Sequence, residues 1–192
     1  MHAILSSLLF LGGSAIAAPN TVQLTAEEIS CRNASRSILS WNIIDFDFHS
    51  SYTFSTPSHQ IASGFVNFTL ENAALEYKPA CAASSSQLQD FFYGNVVYDC
   101  QIPTTAPRDA ASFSFNRATG QVLVNQTWVC GDGGGKFTAR GGTAFNLTCS
   151  DETWQNPDWK DGELYSTRNV SCAKVNGTAS INQISGSTRI LS

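Results

Sequence analysis

The chain has 192 residues, with 11 Lys and Arg against 15 Asp and Glu, a formal net charge of −4 and a sequence pI near 5.2. Charged residues make up only 14% of it and form no basic patch, which argues against a nucleic-acid partner. No apolar run reaches the roughly 20 residues that a membrane span needs, so no membrane partner is expected.

Residues 1–17 read as a signal peptide. His2 stands in for a weak n-region, Ile4 to Leu11 is an apolar core, and Ala15-Ile16-Ala17 is a small-x-small cleavage signal. Cleavage after Ala17 predicts a secreted, extracellular product of about 175 residues, enough for one domain with a sizeable core. Residues 18–37 are polar and are expected to form a loose N-terminal arm, tied down by Cys31. Ile38 to Phe48 is the first strong strand, but its alternation slips near Ile43-Ile44. A β-bulge there, one extra residue in the strand, would turn Trp41, Ile43, Phe46 and Phe48 to the same side. Tyr52 to Ser55 and Gly64 to Asn72 follow, the second leaving Phe65 on the outer face, and Leu75 to Lys78 is expected to pair next, ended by Pro79. Ala82 to Gln89 is the one stretch suited to a helical turn.

Asn95 to Gln101 resumes β-structure, and Pro103 to Arg108 is a turn-rich loop. Ala111 to Asn116 and the strand opening at Gln121 flank Ala118-Thr119-Gly120, which reads as a β-hairpin. Val122, Val124, Trp128 and Cys130 share one parity of that strand. The sequon Asn125-Gln126-Thr127 orients it, because a glycan on Asn125 must face solvent, so these four residues point inward. The same marker at Asn67, Asn146 and Asn169 turns Val66, Phe68, Leu70, Phe145, Leu147, Cys149, Val170 and Cys172 to the core. Phe137 to Ala139 and Ala144 to Cys149 are expected to flank a Gly141-Gly142 turn, Ser150 to Asp161 to be loop, and Glu163 to Val175 to be the closing strand. Short strands spaced by turn signals give an all-β class, a single compact antiparallel β-barrel or sandwich stapled by disulfides. Its domain spans 38–175, and 176–192 reads as a polar flexible tail.

Six sequons, at Asn33, Asn67, Asn125, Asn146, Asn169 and Asn176, predict a glycoprotein. Six cysteines, Cys31, Cys81, Cys100, Cys130, Cys149 and Cys172, predict three disulfides in an exported chain, and 15 pairings are open. No C-x-x-C or C-x-x-H spacing offers a zinc site, so neither metal nor cofactor is expected.

Candidate catalytic groups are sparse. Gly131 to Lys136 has neither the leading glycine nor the trailing Ser or Thr of a phosphate loop, and reads as a hairpin loop. Asp45, Asp47 and His49 offer metal-ligand chemistry at i, i+2, i+4, yet one strand cannot enclose an ion. No G-x-S-x-G occurs, and a Ser/His/Asp triad would have to use His49 or His59. Glu71, Glu76, Asp151, Glu152 and Glu163 supply glycosidase-type carboxylates, with nothing in their spacing to select a pair. Trp154, Trp159 and Tyr165 offer a binding surface for a sugar or partner, with ordinary core aromatics as the alternative.

The order Trp41, Ile43, Phe46, then a Val/Phe-rich strand, Cys81 and Tyr98-Asp99-Cys100, resembles the fungal secreted β-barrel family founded by the Alternaria major allergen. Ala111 to Asn116, the Gly120 turn, Gln126-Thr127-Trp128-Val129-Cys130 and the Asn146 to Cys149 strand extend the likeness across roughly Cys31 to Val175. The resemblance implies a β-barrel exported by a filamentous fungus and not an enzyme: an allergen, elicitor or effector that binds plant defence proteins. It also implies the pairings Cys81–Cys100 and Cys130–Cys149 and, with those in place, Cys31–Cys172. The chain departs from the pattern in giving Cys31 a partner, which leaves no thiol for an interchain bridge at the N-terminus, and in its load of sequons. The expectation is a monomer or weak homodimer that binds a host defence protein or cell-wall component. A secreted polysaccharide hydrolase or carbohydrate-binding protein, and a carrier of a small apolar ligand, are the alternatives.

Overall fold

The computed structural model describes residues 23–187. The signal peptide expected at 1–17 lies outside them. One helix, α1 (Ala26–Ser37), precedes ten antiparallel strands: β1 (Ser40–Thr56), β2 (His59–Glu71), β3 (Ala80–Ser85), β4 (Tyr98–Gln101), β5 (Ala110–Asn116), β6 (Gln121–Val129), β7 (Lys136–Ala144), β8 (Cys149–Gln155), β9 (Ser166–Cys172) and β10 (Val175–Ser187). Strands β1 to β7 pair in sequence, and β10 lies between β7 and β1, closing an eight-stranded barrel.

The length of β1 organises this arrangement. It pairs with β2 on one edge throughout, while its other edge is shared. Ser40 to Phe46 pairs with β10 and closes the barrel, whereas His49 to Phe54 pairs with β9. β8 adds outside β9, so β8 and β9 form a two-stranded finger projecting from the barrel wall.

The bulge expected in β1 is present. Register shifts between Ile43 and Phe46 against β10, and between Ile44 and Asp47 against β2. Asp45, at φ 54°, is in the left-handed region that aspartate tolerates better than most residues. Its N–H donates to Asn176 Oδ1 at 2.7 Å, and Trp41, Ile43, Phe46 and Phe48 are all fully buried. β6 also faces as expected: Val122, Val124 and Trp128 are buried, while Leu123 and Asn125 are exposed. Gln126 shares the inward parity and was not among the expected core residues. Its Oε1 accepts from Trp41 Nε1 and from Asn72 Nδ2, both at 2.8 Å, so two buried donors are satisfied by one amide.

Two disulfide expectations are corrected. Cys81–Cys100 forms between paired residues of β3 and β4, but Cys130 joins Cys31 and Cys149 joins Cys172. The nine residues of β7 carry the chain roughly 30 Å away from Cys130 before Cys149 is reached, so Cys130–Cys149 is out of reach. Cys149 and Cys172 are instead direct partners in the β8–β9 ladder.

The loose N-terminal arm is corrected over residues 26–37, which are helical. Thr25 and Glu28 make a reciprocal capping box, at 2.9 and 3.1 Å, and that T-x-x-E signature stands in the sequence. Cys31–Cys130 holds α1 against one end of the barrel, where fully buried Ser35 accepts from Trp128 Nε1 at 2.8 Å. The flexible tail is corrected over 176–187, which belong to β10. Its inward face is Val175, Gly177, Ala179 and Ile181, with small residues at the middle two positions: Ala179 sits opposite Trp41, and a side chain on Gly177 would collide with the Phe145 ring, so the strand shows little apolar signal. Gly141-Gly142 is no turn. Both residues lie inside β7, where a Cβ on Gly141 would come within 1.9 Å of the Ser180 carbonyl. Ala82 to Ser85 is strand rather than helix, Leu75 to Lys78 is irregular, and the first part of the expected loop at 150–161 is β8.

Candidate functional site

The three aromatics expected to form a binding surface do not converge. Trp159 and Tyr165 meet edge to face at 5.7 Å in the loop joining β8 to β9. Trp159 Nε1 donates to the Glu163 carbonyl at 2.8 Å, and Tyr165 Oη accepts from Gln155 Nε2 at 3.0 Å. Their rings stiffen the loop. Trp154 neighbours Gln155 on β8, so its side chain points to the other face of the finger, where it is half exposed.

What the fold does bring together is a cleft of about 530 Å³ lined by Tyr52, Phe54, Gln60, Leu88, Gln89, Asp90, Arg117 and Arg168. Tyr52 and Phe54 follow the barrel section of β1, and their rings stack at 6.5 Å and 16°. Arg168 is the β9 residue paired with Tyr52, and its guanidinium lies 5.9 Å above the tyrosine ring. Asp151, on β8, receives two of its N–H groups, Nε to Oδ1 at 2.9 Å among them. That forked contact holds the Asp151 carboxyl below its ordinary range. Arg117 repeats the device from the β5–β6 turn, over the Phe48 ring at 5.0 Å and paired with Asp90 at 3.1 Å. The rim carries backbone strain: Gln89 and Phe91 have φ of 75° and 63°, pinned by Tyr52 Oη to Gln89 O and Ser85 Oγ to Phe91 O. None of these lining residues was singled out in the sequence. The sequence carries little signal for them: Arg117 stands two residues after Phe115 and Arg168 three after Tyr165, but Lys136 and Arg140 in β7 lie equally close to Phe137.

The cleft presents aromatic faces and guanidinium edges whose charges are already balanced, which suits stacking and directional hydrogen bonding more than proton transfer. The carboxylates weighed for glycoside chemistry are dispersed. Glu71 is held by Lys78 and Asn42 beside the start of β1, and Glu163 lies by the far end, near Phe54. Twelve strand residues, roughly 40 Å, separate those ends, against the 5–10 Å that a glycosidase pair requires. Ser55 Oγ and His59 Nδ1 meet at 2.9 Å on the exposed β1–β2 turn, and among the described residues His59 has no carboxylate partner. Asp47 lies 3.9 Å from His49, which stacks on Phe65, while the bulge takes Asp45 out of phase. No group of three or more metal-ligating residues occurs among the described residues. The Gly131–Lys136 turn is committed to structure, with Gly133 N–H donating to Glu28 Oε1 at 3.1 Å.

The sequon asparagines all stand at least partly exposed, Asn67 the least so, and none lines the cleft. Where the side-chain oxygen is engaged, at Asn169 by Ser51 Oγ and at Asn176 by Asp45 N–H, the amide nitrogen that would carry a sugar stays free. Among the described residues no helix is long and apolar enough to cross a membrane.

A family model described as Alternaria alternata allergen 1 matches residues 43–172. No curated protein and no solved structure matched the chain.

Proposed function

Because this chain belongs to the Alternaria alternata allergen 1 family, we propose that it is an exported protein that works by binding, without chemistry of its own, a host defence protein or cell-wall component. The observation that carries this reading is the Tyr52–Phe54–Arg117–Arg168 cleft, where aromatic faces and balanced guanidiniums converge on a surface free of sequons. Glycans on Asn67, Asn125 and Asn176 would restrict approach to the barrel wall, while none of the six sequon asparagines lines this cleft. The three disulfides are in keeping with an extracellular setting.

The test is binding of the secreted protein to plant apoplastic proteins and to purified wall polysaccharides, compared with Tyr52→Ala and Leu88→Ala. Saturable binding to one component, weakened about tenfold in the variants, is the expected outcome for residues central to an interface. Binding unchanged by both variants, or turnover of a polysaccharide, would overturn the reading.

A further inference from the structure

The outer edge of β8 is uncovered. β8 ends the sheet, its neighbour is β9, and all seven of its residues are exposed. In an antiparallel ladder every second residue turns its N–H and C=O away from its partner, so this edge offers a row of backbone donors and acceptors. Of the usual protections β8 keeps only the charges of Asp151 and Glu152. β8 has no proline or lysine, and its register with β9 runs from Cys149↔Cys172 to Gln155↔Ser166 without a bulge. The edge is also preorganised, held at its base by the Cys149–Cys172 disulfide and at mid-length by Arg168 on Asp151.

Charge selects the occupant. Residues 149–165 carry five carboxylates and one lysine, a surplus as large as that of the whole chain. Asp151 is neutralised by Arg168, whereas Glu152 takes part in no ion pair among the described residues. Ser150, Glu152 and Trp154 share a face, which puts an unbalanced carboxylate two residues from a half-exposed indole. Two copies joined edge to edge about the centre of β8 would set Glu152 against itself, an unfavourable cross-strand pair. We infer that the β8 edge takes up, as an added strand, an extended basic segment of a partner protein, with Lys or Arg opposite Glu152 and an apolar residue two positions away against Trp154. This rests on the reading as a binding protein but uses a surface separate from the cleft.

The probe is an acetylated, amidated heptapeptide, Thr-Lys-Thr-Val-Thr-Lys-Thr, titrated onto the full secreted protein before and after deglycosylation, since Asn169 pairs with Glu152. Hydrogen exchange should show new protection at alternate amides within 149–155. Methylating alternate peptide nitrogens should abolish binding in one of the two registers, and Glu152→Gln or Trp154→Ala should each weaken it about threefold. Protection elsewhere, equal binding by both methylated peptides, or no saturation at millimolar peptide overturns the inference. So does slow exchange of those amides in the free protein. Dimers broken by Thr153→Pro would make the edge a self-association surface instead. A positive peptide result with no cleft-dependent partner would sink the proposed function alone, and the reverse would sink only the strand addition.

Discussion

The barrel and the finger are built from the same strands yet held by different forces. Inside the barrel, Phe46 touches Phe68, Phe115 and Phe145 with ring centroids 5.0 to 5.7 Å apart, and Trp41 and Trp128 have their indole nitrogens satisfied by Gln126 and Ser35. Phe46 thereby joins β1 to β2, to β5 and to the segment after β7, so its burial supports several parts of the closed wall at once. In the finger, β8 buries nothing, and position is kept by one disulfide, one forked ion pair and a ladder. The lesson is a division of labour. Closure pairs the barrel strands on both edges along much of their length, and the free edge of β8 is displaced onto a strand that contributes no residue to the core, so its local opening need not disturb it.

The sharpest break in that comparison is between tryptophans. Trp41→Ala should lower the unfolding free energy by about 3–5 kcal/mol, because it opens a cavity in the core and removes one of the two donors to Gln126 Oε1, whereas Trp154→Ala should change it by less than about 0.5 kcal/mol. Urea denaturation of both variants measures this directly, and similar losses would contradict the division. The disulfides follow. Replacing Cys31 and Cys130, 99 residues apart, should destabilise more than replacing Cys149 and Cys172, 23 apart, by about 1 kcal/mol on chain entropy alone. The first loss should move the global transition, and the second should speed exchange most in β8 and β9. The smallest effect is electrostatic. Hydrogen bonds from the backbone of Thr25 and then Gly133 hold the Glu28 carboxyl below its ordinary 4.5. A depressed folded pKa means that this stabilisation is present above pH 4.5 and fades as pH falls through the lower folded value. The α1 amides should therefore exchange faster in that window, and Glu28→Gln should flatten the dependence.

Much of this was legible in the residues themselves. The signature around Trp41, Ile43 and Phe46, with its slipped alternation, announced a bulged core strand, and the bulge is there. The Asn125 sequon oriented β6 correctly, since a hydrophilic marker on a period-2 strand assigns both faces at once. The all-β class followed from short strands spaced by turns, and the family from the order of Trp41, Ile43, Phe46 and the later cysteine-bearing strands. Local chemistry of this kind depends only on near neighbours in the chain.

Tertiary structure alone decided the rest, because it turns on contacts between distant segments. Which cysteine meets which is set by where β7 and β8 carry the chain, and Cys130 and Cys149 end up about one strand length apart. β10 carries a broken apolar signal, Val175 and Ile181 being separated by Gly177 and Ala179 because small residues are what fit against Phe145 and Trp41, so the strand that closes the barrel reads as tail. Tyr52, Arg117 and Arg168 become a cleft only when β1, β9 and the β5–β6 turn are brought together. Strand patterning is local and survives in one dimension; edge closure, disulfide partnership and the cleft are three-dimensional coincidences of long-range register.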